Sequence, residues 1–216
     1  MEGDGEFLAN GVWCWLSPAL KRSSTPRAGL LLDRDGVLVH EVGYLHRPVD
    51  VRLHDGAARL IATANARNIP VAVVTNQAGI AREYFGWPEF LETQREIARQ
   101  LALERAVVDA VIACPFHPDH TPEWSDDHAY WRKPGCGMLE LAARELDLDP
   151  GRSWLVGDNS SDIAAARRAG LAGAVHIETG HGKEFRAQAL ELATDDFRVF
   201  GLPDIAEAIK IFQQYQ

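Results

Sequence analysis

The chain has 216 residues, 46% of them hydrophobic, which suits one domain of ordinary size with a sizeable core. A formal net charge of -9 supplies no basic footprint for nucleic acid or for an anionic membrane surface, and no apolar run reaches membrane-spanning length. Cys14, Cys114 and Cys136 have no framework spacing, and Glu2, Asp4 and Glu6 open the chain with the charge opposite to a secretory signal, so a protein of the reducing cytoplasm is expected.

Residues 1–27 read as a leader packed on a domain of residues 28–216. Its apolar members Phe7, Leu8, Val12, Trp13, Cys14, Trp15 and Leu16 sustain neither a helical nor a strand period, and the run from Lys21 to Pro26 reads as a loop. Leu30-Leu31-Leu32 then predicts a short strand buried on both faces, and it stops at Asp33 and Asp35. A breaker-rich connection, 40–55, leads into an amphipathic helix over 57–67. The strand 70–74 runs into Thr75-Asn76-Gln77. A helix over 88–105, a strand over 107–113 and a loop over 114–132 bring the chain to Lys133-Pro134-Gly135. A helix over 137–145, a strand over 154–156 ending at Gly157-Asp158, a helix over 163–169 stopped by Gly170, a strand over 174–177 and a closing helix over 205–212 complete the pattern.

Strand alternating with helix predicts an α/β domain, doubly wound around a mainly parallel, Rossmann-like sheet. Neither the interval from Asp33 to Thr75 nor that from Thr75 to Lys133 has room for a separate cap domain. Right-handed crossovers put Asp33, Asp35, Thr75, Asp158 and Asp162 on one edge of that sheet, with Lys133 opening a helix beside them. Carboxylates so close need a reason to stay ionised, and a Mg²⁺ ion held by oxygen ligands is one. A hydroxyl and an ammonium next to that ion make a pocket for a phosphoryl group. A polar turn with no chemistry explains Asp33 and Asp35 alone, but not five such groups on one edge.

The order and type of these motifs resemble the haloacid dehalogenase superfamily over roughly residues 29–180. Asp-Arg-Asp-Gly-Val from Asp33, Gly43-Tyr44, Val-Val-Thr-Asn-Gln-Ala-Gly-Ile-Ala-Arg from Val73 and Arg132-Lys133-Pro134 are similar to the D-glycero-D-manno-heptose 1,7-bisphosphate phosphatases, with histidinol-phosphate phosphatases as close relatives. The resemblance implies that Asp33 is a nucleophile and Asp35 an acid and base. It implies that Asp33, the Asp35 carbonyl and Asp158 hold Mg²⁺ with Asp162 as ligand or support, and that Thr75, Asn76 and Lys133 hold the phosphoryl oxygens. Arg82 and Arg132, with His46 or Arg47 on the first loop, are cations available for a second phosphate of a small sugar substrate.

Many relatives carry zinc in the loop before Arg132, on a Cys-x-His and a later Cys-x-Cys. Here Cys114 is present, but Phe116 replaces the histidine, and Ala129 and Trp131 replace the cysteines. His117, His120 and His128 lack tetrahedral-site spacing, so a loop packed by Phe116, Trp124 and Trp131 is expected instead of a zinc site. A phospho-accepting receiver module also combines carboxylates, a Thr and a Lys, but Asp35 is placed to destroy an acyl phosphate, and the chain is longer than such a module needs.

Overall fold

Leu30, Leu31 and Leu32 form β3 (Leu30–Leu32), and their side chains divide between two cores, Leu30 and Leu32 on one face of the sheet and Leu31 on the other. This is the double burial expected of a central parallel strand. A computed structural model describes residues 5–8 and 10–215. Its other strands are β1 (Glu6–Phe7), β2 (Trp13–Leu16), β4 (Val71–Asn76), β5 (Ala110–Cys114), β6 (Trp154–Gly157), β7 (Gly173–Ile177) and β8 (Arg198–Leu202). They form one sheet in the order β1-β2-β5-β4-β3-β6-β7-β8, antiparallel at β1-β2 and β2-β5 and parallel elsewhere.

Helices cover both faces. α1 (Ala57–Ala66), α3 (Trp87–Leu103) and α8 (Ile205–Tyr215) bury Leu60, Ile61, Phe90, Ile97, Leu101 and Ile209 on the side of Leu30 and Leu32. α5 (Gly137–Glu145), α6 (Ser160–Arg168) and α7 (Gly182–Leu190) bury Met138, Leu139, Ile163 and Ala189 on the side of Leu31. Two short helices, α2 (Ala78–Ala81) and α4 (Asp126–Trp131), sit in the connections after β4 and β5. The sheet reverses its winding at β3, with β4 and β6 on its two sides, and a ligand crevice belongs at such a switch point.

Several sequence expectations need correction. The leader does contain strands: Trp13–Leu16 pairs antiparallel with β5, Trp13 opposite Ala113 and Leu16 opposite Ala110. All of Trp13, Cys14 and Trp15 are buried because both faces of this strand are covered, so no alternation shows. The third strand begins three residues later than its apolar run, since Val107 is exposed and Asp109 accepts a bond from the Val71 amide at 2.8 Å. Within the 114–132 loop, α4 forms around a capping box at Ser125, and α6 starts at Ser160, ahead of its apolar residues. α7 and β8 escaped sequence reading, because β8 is an edge strand only partly buried and α7 buries only Gly182 and Ala189.

Candidate active site

Register fixes the nucleophile position. Leu32 pairs with Val73 of β4 and Val156 of β6, so Asp33 leaves the sheet between Val74 and Gly157, and its amide donates to the Val156 carbonyl at 3.0 Å. Lys133 reaches the same spot from the start of the segment before α5. Its Nζ donates to Asp33 Oδ1 at 2.6 Å and to the Val74 carbonyl at 2.8 Å, and pairs with Asp162 Oδ1 at 2.7 Å. All three ammonium protons are therefore used. Burial pulls the Lys133 ammonium down, but Asp162 and Asp33 more than offset it and leave its pKa above the ordinary lysine value.

Asp158 and Asp162 come from the turn between β6 and α6. Asn159 caps α6 by accepting from the Ser161 amide at 3.0 Å, while Asp162 Oδ2 accepts from the Asn159 amide at 3.0 Å, a reciprocal box that aims the other oxygen of Asp162 at Lys133. Asp158 Oδ2 accepts from the His181 amide at 2.7 Å. Gly36 and Gly180, both at positive φ, lie against that carboxylate, and a Cβ on either would collide with Asp158 Oδ2.

Asp35 is held differently. Arg34 makes a fork onto it, Nε at 3.0 Å from Oδ2 and Nη2 at 2.9 Å from Oδ1, and Gln77 Nε2 donates to Oδ2 at 3.0 Å. Arg34 is itself buried, with its guanidinium 5.4 Å from the centre of the Phe90 ring and Nη2 donating to the Leu45 carbonyl at 3.3 Å. Gln77 Nε2 also donates to Thr75 Oγ1 at 2.7 Å, which places the Thr75 hydroxyl below the cavity wall. The Asn76 side chain pairs with both peptide groups of Lys133: Nδ2 donates to its carbonyl at 3.0 Å and Oδ1 accepts from its amide at 3.1 Å.

These groups open into a cavity of about 510 Å³ lined by Asp33, Asp35, Asn76, Lys133, Asp158 and Asp162 at its floor. Tyr44, Arg132 and His181 also line it. Arg132 Nη1 donates to the Phe116 carbonyl at 2.8 Å, which leaves the rest of its guanidinium for the cavity. Arg82 has Nη2 3.1 Å from His117 Nε2 and does not line the cavity. Nor do His46, stacked on Phe85, or Arg47, paired with Asp50 at 3.1 Å. The structure thus gathers Asp33, Asp35, Asn76, Arg132, Lys133, Asp158 and Asp162 and sets Thr75 and Arg82 one layer back. Sequence reading gave no role to Arg34, Gln77 or His181. Gln77 had a usable signal, standing two residues past Thr75 at the same strand end; Arg34 looks like turn filler, and the loop carrying His181 has no apolar period.

Asp33, Asp158 and Asp162 each offer an oxygen within 4.8 Å of the others, the one such group among the described residues. All three are buried, with Lys133 as the single ammonium among them. Burial, then neighbouring carboxylates, push Asp158 well above the ordinary carboxylate range, and burial does the same to Asp33 against the pull of Lys133. Three oxygen donors short of positive charge fit a hard divalent cation such as Mg²⁺.

Comparison with known proteins fits this chemistry. A family model described as HAD-hydrolase-like matches residues 130–207, and together with the phosphatases to which most of the chain is similar it sets the class of protein: a phosphoric monoester hydrolase on a doubly wound sheet. The chain is 44% identical over 144 residues to the D-glycero-beta-D-manno-heptose-1,7-bisphosphate 7-phosphatase of Mesorhizobium japonicum, a match spanning 66% of each chain. It is 40% identical over 161 residues to the D-glycero-D-manno-heptose-1,7-bisphosphate 7-phosphatase of Thermosynechococcus vestitus, covering 73% of this chain and 82% of the relative. The crystal structure of D,D-heptose 1,7-bisphosphate phosphatase from B. bronchiseptica, complexed with magnesium and phosphate, superposes with a TM-score of 0.74 at 30% identity, over 87% of this chain and 99% of that one. The chain belongs to the haloacid dehalogenase superfamily of hydrolases.

Proposed function

We propose that this protein is a Mg²⁺-dependent phosphatase of the cytoplasm that hydrolyses D-glycero-D-manno-heptose 1,7-bisphosphate through a phosphoaspartate on Asp33. The observation that carries the reading is the buried contact of Lys133 with Asp33 and Asp162, with Asp158 completing a three-carboxylate site beside it. Lys133 occupies Asp33 Oδ1, which leaves Oδ2 for attack on phosphorus. As the new oxygen–phosphorus bond forms and the ester bond breaks, Asp35 gives its proton to the leaving alcohol. A water then attacks the phosphoaspartate and passes its proton to Asp35, which releases inorganic phosphate and restores both residues. Arg34 and Gln77 keep the Asp35 carboxylate oriented between the two steps. Lys133 offsets charge on Asp33 and on the transferring group. Asp33, the Asp35 carbonyl and Asp158 would hold the Mg²⁺ with Asp162 in support. Once bound, the ion supplies a Lewis acid for the phosphoryl oxygens.

Arg132 on the cavity wall is the cation placed for the second phosphate. The loop before Arg132 is held without zinc in this reading: His128 packs on Phe116 at 4.4 Å and on Trp124 at 5.7 Å between ring centres, and Cys114 lies buried with its thiol pushed up to about 11 by that burial. No helix among the described residues is long and apolar enough to cross a membrane.

The test is turnover of a panel of phosphate esters with Mg²⁺. The heptose bisphosphate should be the best substrate, chelation should stop the reaction, and Asp33→Asn should abolish it, because an amide is neither the nucleophile nor an anionic ligand. Faster turnover of histidinol phosphate would transfer the assignment to that substrate, and an Asp33→Asn variant near wild-type rate would overturn the mechanism.

A further inference from the structure

β7 carries a buried imidazole to which the hydrolytic scheme gives no task. Val175 and Ile177 belong to the core on the side of Leu30 and Leu32, so the alternating strand turns His176 towards the side of Leu31, which α6 and α7 cover, and it is fully buried there. β7 lies beside β6 with His176 opposite Gly157, one residue before Asp158. The Nε2 of the ring is 3.0 Å from the Asp158 carbonyl oxygen. A carbonyl only accepts, so Nε2 carries the proton, while Nδ1 is buried without a partner. An imidazole with one nitrogen unsatisfied is a costly filler for an apolar layer, where a leucine would leave no orphan. Packing alone therefore does not account for a histidine here, whereas its bond to Asp158 does.

That bond lands on a peptide with two roles. Its carbonyl belongs to Asp158 and its N–H to Asn159, and this N–H donates to Asp162 Oδ2 at 3.0 Å. His176 thus holds one end of the Asp158–Asn159 peptide and Asp162 the other. The peptide is planar and stiff, so a swing of its carbonyl carries the N–H with it. Such a swing would free Asp162 from the box that aims its Oδ1 at Lys133, and would turn the Asp158 backbone from which another carboxylate of the cation site projects. The His181 amide, 2.7 Å from Asp158 Oδ2, restrains that carboxylate only at its tip.

We infer that His176 is a positioning residue for the cation site: by donating from Nε2 to the Asp158 carbonyl it fixes the peptide through which the Asp158 and Asp162 carboxylates are aimed. The inference deepens the Mg²⁺-dependent reading above and rests on it. His176 does not line the cavity, so its effect reaches the ion only through these two carboxylates.

The test is Mg²⁺ binding to the full chain without substrate, followed by isothermal titration calorimetry. His176→Leu keeps the space filled and removes the donor, and it should weaken Mg²⁺ binding about 10–100-fold, the range for a lost partner of a metal ligand. His176→Gln carries an amide nitrogen the same number of bonds from Cβ as Nε2 and should recover most of that loss. Wild-type affinity in His176→Leu, or equal weakening in both variants, would overturn the inference and leave the phosphatase reading in place. Absence of Mg²⁺ binding by the wild type would overturn both. Should the variants fail to fold, the tautomer decides: long-range proton–nitrogen correlation spectra of the wild type should show the His176 proton on Nε2, and a proton on Nδ1 alone would overturn the inference.

Discussion

Lys133 is where the chemistry and the stability of this chain meet. A buried ammonium among three carboxylates is neutralising charge that has no other outlet in the protein itself, so Lys133→Met leaves carboxylates uncompensated. Removing one partner of a buried ion pair costs about 3–5 kcal/mol. The denaturant midpoint of Lys133→Met should fall accordingly, and added Mg²⁺ should recover part of the loss. His54 makes a different titration argument. Burial, then the His40 ring tilted against it with centres 3.9 Å apart, lowers its pKa to about 4. The unfolded value is about 6.5, so the unfolded chain binds the extra proton between these limits. The contribution of a neutral His54 is therefore complete above about pH 6.5 and is lost as pH falls towards about 4. Urea unfolding at pH 7 and pH 5 should show a larger acid loss for the wild type than for His54→Gln.

At the level of elements, the strands that carry chemistry were legible because each is a short apolar run ending abruptly in polar groups. Leu32 to Asp33, Val74 to Thr75 and Gly157 to Asp158 all show that break. Strands at the margins were not legible, because their burial is set by neighbours distant in sequence. Trp13 is fully buried only because β2 adds to β5, while Phe90 and Trp87 of α3 close over it at 5.4 and 6.4 Å between ring centres. Trp13→Ala should cost about 3–5 kcal/mol, as large aromatic truncations in cores do. The loss should appear in thermal unfolding, with kcat per folded molecule little changed, since β2 contributes no residue to the lining of the active-site cavity. Within the site, the three carboxylates that cluster, Asp33, Asp158 and Asp162, were readable from type and spacing. Of the two that hold the Asp35 carboxylate, Gln77 left a trace two residues past Thr75, whereas Arg34 left none, since the Phe90 ring and the Leu45 carbonyl that fix it are brought there by the fold.

The whole molecule offers its substrate an open cleft walled by loops. Selectivity then depends on groups fixed at the rim, and Arg132 is the cation among them. Arg132→Ala should raise KM for a sugar bisphosphate far more than for a simple aryl phosphate, as measured by steady-state kinetics on both. Equal rises would assign Arg132 to the transferred phosphoryl group or, through its bond to the Phe116 carbonyl, to the fold. The Asn76 amide has a wider consequence. It meets Lys133, 57 residues further on, as a neighbouring strand would, with one bond given and one received. Nucleophile and ammonium are thus stitched into one lattice, and the segment between β5 and Lys133 is a long excursion that rests on the core through Phe116 and Trp131 but takes no part in that stitch. Evolution can rewrite that excursion, lengthening it or retuning its grip on substrate, while the hydrolytic machinery beneath stays in register.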